Sequence, residues 1–104
     1  MLRAQLLEEG FDVEAVGSWD EAELLLLRRV RKPKLVLYDL TGEPNPEASL
    51  RTLRRVLTAD RVVVLTAAGA LSASAVGDLG FSRVLARPFS VQDVVTAVRQ
   101  ASAA

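Results

Sequence analysis

Short apolar runs that lead into a polar residue constrain the fold of this sequence more than any other feature. They are residues 35–38 before Asp39, residues 61–65 before Thr66, and residues 83–86 before Arg87; an arginine opens each of the last two, and the residues after it are apolar. Each run is too short for a helix of ordinary length. Each also lacks the alternation of apolar and polar residues that is typical of a strand with one face exposed to solvent. These runs are therefore predicted to be strands covered on both faces, as in a parallel sheet.

Amphipathic segments separate these runs and are predicted to be helices. Ser18 opens a capping box and a helix that must end near Pro33. Asn45 and Pro46 offer an N-cap and a first-turn proline for the next helix, and Ser90 caps the last one. The predicted inward faces of these three helices are Ala22, Leu25, Leu26 and Val30; Leu50, Leu53, Val56 and Leu57; and Val94, Val95, Val98 and Ala101.

The beginning of the chain adds a helix and a strand to this pattern. Leu2 and Leu6 fall at helical spacing before Gly10, and residues 11–16 alternate apolar and polar side chains, as a half-buried strand does. A short helix with Val76 inward precedes the last strand. One helix followed by four strand–helix units predicts a single α/β domain over residues 1–104. Its sheet is parallel, with helices on both faces.

Composition excludes several classes of function. Lysine plus arginine and aspartate plus glutamate both number 13, so net charge gives no reason to expect nucleic acid or a membrane surface as partner. The absence of cysteine excludes disulfides, and the absence of histidine excludes a histidine phosphocarrier. Apolar runs of four or five residues are too short to span a membrane. We expect a cytoplasmic protein.

The candidate chemistry lies where the predicted strands end. Asp39, Thr66 and Arg87 each follow a strand, and the carboxyl ends of parallel strands form the usual reaction edge of such a sheet. A carboxylate beside a hydroxyl and a cation can form a phosphoryl site. The carboxylate would be the nucleophile, and the other two groups would bind phosphoryl oxygens.

The three segments that contain these residues, LVLYDL, VVVLTA and RPFS, resemble the successive motifs of bacterial response-regulator receiver domains in both order and spacing. The resemblance implies a flavodoxin-like, doubly wound fold. It also implies that Asp39 stands at the position that accepts phosphate from a histidine kinase. Thr66 takes the position of the switch hydroxyl, and Arg87 stands where the family has a lysine.

Three departures from the family limit what the resemblance implies. Receivers begin with a strand that ends in two acids, and these hold Mg²⁺ with the phosphoacceptor; here that first strand and the acid pair are missing. Asp39 and the Thr41 backbone would hold metal only if such a pair were supplied, so we expect no cofactor. Arg87 replaces lysine, and Val84 replaces an aromatic residue that rotates inward on activation.

The sequence therefore predicts a receiver or pseudo-receiver that binds protein partners, a histidine kinase or an output protein, and that is not an enzyme. One alternative is an aspartate-nucleophile phosphatase of the haloacid-dehalogenase type, in which Thr41 stands where a second aspartate is needed. Another is an ordinary receiver with a misassigned start. Because the missing strand would leave a gap beside residues 35–38, we expect closure into a four-stranded sheet or a homodimer.

Overall fold

The computed structural model describes residues 2–28 and 33–103. Within them, three strands form one parallel sheet in the order β1 (Val36–Asp39), β2 (Val62–Thr66) and β3 (Val84–Ala86). All three apolar runs are therefore strands, as predicted, with bounds that differ by a residue or so. The two polar residues Asp39 and Thr66 are the last residues of their strands.

Helices connect and flank the strands in the predicted order, and a one-turn 3₁₀ helix, Ala59–Arg61, precedes β2. The α-helices are α1 (Leu2–Glu8), α2 (Trp19–Arg28), α3 (Pro46–Val56), α4 (Ala73–Asp78) and α5 (Val91–Ala103). In the described part of the chain, none of them is both long and apolar enough to cross a membrane.

Side-chain caps fix where three of these helices begin, with Ser18 before α2, Ser72 before α4 and Ser90 before α5. The Ser18 hydroxyl accepts a hydrogen bond from the amide of Glu21 at 3.2 Å. At the start of α5 the cap is reciprocal: the amide of Asp93 donates to the Ser90 hydroxyl at 3.0 Å, and the Ser90 amide donates to the Asp93 carboxylate at 2.9 Å. Each cap satisfies amides that the first turn of a helix leaves unpaired.

The central strand β2 divides the core into two halves. All five of its residues are buried, and successive side chains point to opposite faces of the sheet. Val62 and Val64 belong to a cluster with residues of α3 and α4, whereas Val63 and Leu65 belong to a cluster with residues of α1 and α5. The predicted two-sided coverage of the sheet follows from this alternation.

The residues predicted to face inward are all buried in α5, but only partly buried or exposed in α2. The four residues predicted for α5 are all buried. In α2, Ala22 and Leu26 are half-buried, whereas Leu25 is 41% exposed. Val30, which was also assigned to this face, lies outside the described residues.

The predicted strand at residues 11–16 is wrong, and so is closure into a four-stranded sheet. This segment has no strand assignment and pairs with none of the three strands. Phe11 and Val13 pack against the cluster beneath α1 and α5, while Asp12 and Glu14 are exposed. The alternation of apolar and polar residues therefore describes which side chains are buried. A strand also needs a neighbouring strand whose backbone can form hydrogen bonds with it.

Candidate functional site

The carboxyl edge of the sheet brings Asp39 and Arg87 together across the central strand. Asp39 ends β1, and Arg87 directly follows β3. A guanidinium nitrogen, Nη2, donates to Asp39 Oδ2 at 3.2 Å, although the two residues are 48 positions apart in the sequence. About half of each side chain is exposed, so the pair contributes at most ~1 kcal/mol to stability. Its importance lies in what it does to the carboxylate.

Both oxygens of the Asp39 carboxylate have a donor. Oδ2 accepts from Arg87, and Oδ1 accepts from the backbone amide of Thr41 at 2.9 Å. The second bond closes a local turn of a kind that aspartate commonly makes with the amide two residues ahead. The carboxylate is thus oriented on one side by its own loop and neutralised on the other by a cation.

Three contacts hold Arg87 in this position. Its backbone amide donates to the Thr66 carbonyl at 2.8 Å, which extends the β2–β3 pairing beyond β3. The guanidinium carbon lies 4.7 Å from the centre of the Phe89 ring, a cation–π contact, and the guanidinium reaches Asp39. A planar guanidinium can stack and donate at the same time, which a compact ammonium cannot do in the same way.

The hydroxyl of Thr66 is engaged by the backbone. Thr66 is 2% exposed, and its hydroxyl donates to the carbonyl of Leu71 in the loop that follows β2. That loop and Arg87 line a shallow open groove beside the strand end. In this arrangement the hydroxyl stabilises the loop. To bind an oxygen of a ligand on Asp39, it would first have to give up this bond.

Tyr38 and Trp19 form a second feature beside Asp39 that sequence reasoning did not predict. Their rings are stacked at an interplanar angle of 13°, with centres 5.7 Å apart, and this packs α2 against β1. Burial raises the pKa of the Tyr38 phenol to about 12, and the charge of Glu43 adds to the effect. Nothing local in the sequence indicates that these two rings would meet.

The hydroxyl of Tyr38 is buried and has no hydrogen-bond partner within the described residues. Ser49 and Glu43 are close enough to influence its pKa, but neither meets the geometry of a hydrogen bond. The Ser49 hydroxyl donates instead to the Asn45 carbonyl at 3.0 Å. The phenol is therefore a polar group that folding removes from water without replacing its hydrogen bond.

The residues around Asp39 do not fit a bound Mg²⁺. A protein site for this ion usually offers one or two carboxylates free to face it, and the metal keeps several waters. Here the one carboxylate at the strand ends is already occupied by Arg87 and Thr41. Across residues 2–28 and 33–103, no group of three or more acidic, histidine or cysteine side chains is arranged to hold a metal.

Comparison with known proteins supports the fold. No protein-family model matches the chain, and no curated protein matches it. A solved structure described as a response regulator from Chloroflexus aurantiacus J-10-fl is 27% identical, with a TM-score of 0.77, over 99% of this chain and 86% of that one. The receiver domain of NtrX from Brucella abortus is 20% identical, with a TM-score of 0.78, over 98% and 87% of the two chains. The predicted resemblance to receiver domains and the α/β fold that it implies are confirmed.

Proposed function

We propose that this receiver-like chain is a signalling module that acts by binding partner proteins, with Asp39 held in an ion pair instead of free to accept phosphate. The fold is that of receiver domains, which supports a role in signal transduction. The observation that carries the second part is the state of the Asp39 carboxylate, since both of its oxygens already accept hydrogen bonds.

Electrostatic repulsion disfavours phosphorylation of Asp39. Phosphoryl transfer to a carboxylate brings two anions together, and catalysis of this step depends on neutralising their charge. Arg87 supplies one positive charge, but that charge already serves Asp39. Among the described residues, no group of three or more acidic, histidine or cysteine side chains is arranged to recruit a metal ion here. Attack by Asp39 would require its carboxylate to break the contact with Arg87 first.

As partners we propose a histidine kinase or an output protein in the cytoplasm, recognised by surface contacts without a catalytic step. We also propose a homodimer, from the outer edge of β1. The amide of Leu40 donates to Leu65 in β2, so the backbone groups of Leu37 and Asp39 point the other way. No segment within residues 2–28 and 33–103 pairs with them, and an unpaired edge favours association with another chain.

The phosphatase alternative receives no support from the geometry. That chemistry needs a general acid two residues after the nucleophile, where this chain has Thr41. Thr41 contributes only its backbone amide to Asp39, and its hydroxyl cannot act as an acid at neutral pH. We therefore do not propose a catalytic activity for this site.

Intact-mass spectrometry after treatment with acetyl phosphate and Mg²⁺ tests the proposal about Asp39. We expect no lasting phosphoryl adduct on the wild-type chain. Arg87→Lys is the matched control for the cation, because it keeps the charge while removing the planar fork that reaches Asp39 and stacks on Phe89. A substantial wild-type adduct that disappears in Asp39→Asn would contradict the proposal.

A further inference from the structure

The end of the sheet opposite Asp39 gathers basic residues from four elements. We call the surface formed by Lys34, Arg54, Arg55, Arg61 and Arg83 the amino-end basic surface. Arg61 and Arg83 directly precede β2 and β3, and Lys34 lies two residues before β1. Arg54 and Arg55 are in the last turn of α3, which leads into the segment before β2. The topology therefore brings all five to the amino ends of the strands.

Two contacts tie Arg83 and Arg54 to the segments around them at this end of the sheet. Arg83 Nε donates to the backbone carbonyl of Asp60 at 3.2 Å, which ties the start of β3 to the segment before β2. The Arg54 guanidinium lies against Gly80, where an added Cβ would be 3.0 Å from Nε. Lys34 precedes β1 by two residues and so lies at the same end of the sheet. The five basic residues therefore share one end of the sheet, and Arg61 and Arg83 lie close to Asp60.

The charge of this surface is not balanced locally. The ion pairs of the described chain are Arg87–Asp39 and Arg99–Glu9, and neither uses one of the five basic residues. The pKa of Asp60 is lowered, first by a hydrogen bond from the Thr58 side chain and then by the charges of Arg61 and Arg83. Two cations, Arg61 and Arg83, therefore lie near the one exposed carboxylate of Asp60.

The chain as a whole is neutral, so the compensating acids lie elsewhere. The first turns of α2, α3 and α5 carry acids, and these turns are at the opposite end of the helices. Cations at helix carboxyl ends are expected from the helix dipole, which accounts for Arg54 and Arg55. It does not account for Lys34 or Arg83, which lie outside the helices. A concentration of positive charge at one end of a neutral domain is suited to a complementary acidic partner.

We propose that the amino-end basic surface docks an acidic segment of a partner protein. Arginine presents a planar fork that matches a carboxylate in a bidentate manner, and four of the five residues are arginine. Nucleic acid is a poorer match. Single strands are bound by stacking on exposed aromatic rings, and all five aromatic side chains of this chain are half-buried or buried. The amino-end basic surface lies at the opposite end of the sheet from Asp39, so this proposal does not depend on the proposed function.

Amide NMR titration of the full chain with a decaglutamate peptide at low ionic strength tests the docking surface. We expect shift changes to concentrate at the five basic residues and at Asp60, and to weaken as salt is added. Shift changes spread evenly over the domain, or no binding at all, would overturn the proposal. Tighter binding of a ten-nucleotide oligo-dT than of decaglutamate would overturn it in favour of nucleic acid.

Two charge-matched variants separate a specific surface from net charge. Arg55→Glu with Arg61→Glu reverses two exposed members of the surface and leaves the contacts of Arg54 and Arg83 in place. Arg3→Glu with Gln92→Glu and Gln100→Glu makes the same change in net charge at exposed positions outside it. We expect the first variant to weaken peptide binding about tenfold and the second to change it less than about twofold. Equal weakening by both variants would show that net charge alone drives binding.

Discussion

Replacing Tyr38 by phenylalanine is expected to stabilise the protein, because the hydroxyl that it removes is buried without a partner. In the unfolded chain this hydroxyl is bonded to water, and in the folded chain that bond is lost. Leaving a buried polar group unsatisfied costs about 1–3 kcal/mol. Phenylalanine keeps the ring that stacks on Trp19, so the packing between α2 and β1 should persist.

The net gain in the free energy of unfolding should be about 1 kcal/mol, at the lower end of that range, since Tyr38 as a whole is only half-buried. For a domain of this size, ~1 kcal/mol raises the melting temperature by about 4–8 °C. Urea unfolding followed by far-UV circular dichroism measures the change, because a shift in midpoint at constant slope reports stability directly.

Tyr38→Leu is the control for the ring itself. It removes the unsatisfied hydroxyl together with the stacking on Trp19, and aromatic pairs of this kind are worth about 0.5–1.5 kcal/mol beyond their burial. We therefore expect Tyr38→Leu to be less stable than Tyr38→Phe. If Tyr38→Phe proves less stable than wild type by more than ~0.5 kcal/mol, the hydroxyl has a partner in solution, and the reasoning is refuted.

Alkaline pH provides an independent check on the same group. Folding raises the pKa of Tyr38 from 10.0 to about 12, so the folded state favours the neutral phenol. The contribution of the neutral Tyr38 phenol to the free energy of unfolding is fully present below pH 10 and is lost as pH rises toward about 12. The wild type should therefore lose stability over this window more steeply than Tyr38→Phe, which has no phenol to ionise. Parallel curves for the two proteins would contradict the assigned shift.

The remaining predictions concern the loop after β2 and the edge of β1. Thr66→Val should lower the free energy of unfolding by about 0.5–1.5 kcal/mol in the same urea assay, because it leaves the Leu71 carbonyl without its donor. Unchanged stability would show that the Thr66 hydroxyl does not bind the Leu71 carbonyl. Light scattering over a concentration series should approach about twice the chain mass of 11.2 kDa, and a constant mass of 11.2 kDa would contradict the homodimer.

Much of the fold could be predicted from the sequence because its signals are local. Continuous apolar runs gave the three strands, and Ser18 and Ser90 marked helix starts that the structure confirms through side-chain caps. The failure at residues 11–16 has a physical cause. Alternation of side chains shows that one face is buried, but hydrogen-bond pairing depends on a neighbouring strand that no local pattern reveals.

For the candidate site, the location could be predicted from the sequence, but the side-chain contacts could not. Its location followed from topology, since residues at the carboxyl ends of parallel strands must meet at one edge, and Asp39 and Arg87 do lie in contact there. The direction of the Thr66 hydroxyl was not predictable, because it depends on how the following loop folds back to present the Leu71 carbonyl. The stacking of Trp19 on Tyr38 depends likewise on how α2 crosses the sheet.

The stacked pair of Trp19 and Tyr38 also makes the protein its own optical probe. Trp19 is the sole tryptophan, so its emission comes from one place in the molecule. That place is the ring next to Tyr38, the residue that immediately precedes Asp39 in β1. A ligand or partner that displaces Arg87 from Asp39 and shifts the end of β1 would alter the surroundings of the indole. Binding at this edge of the sheet could then be followed by intrinsic fluorescence, without attaching a dye or changing a residue.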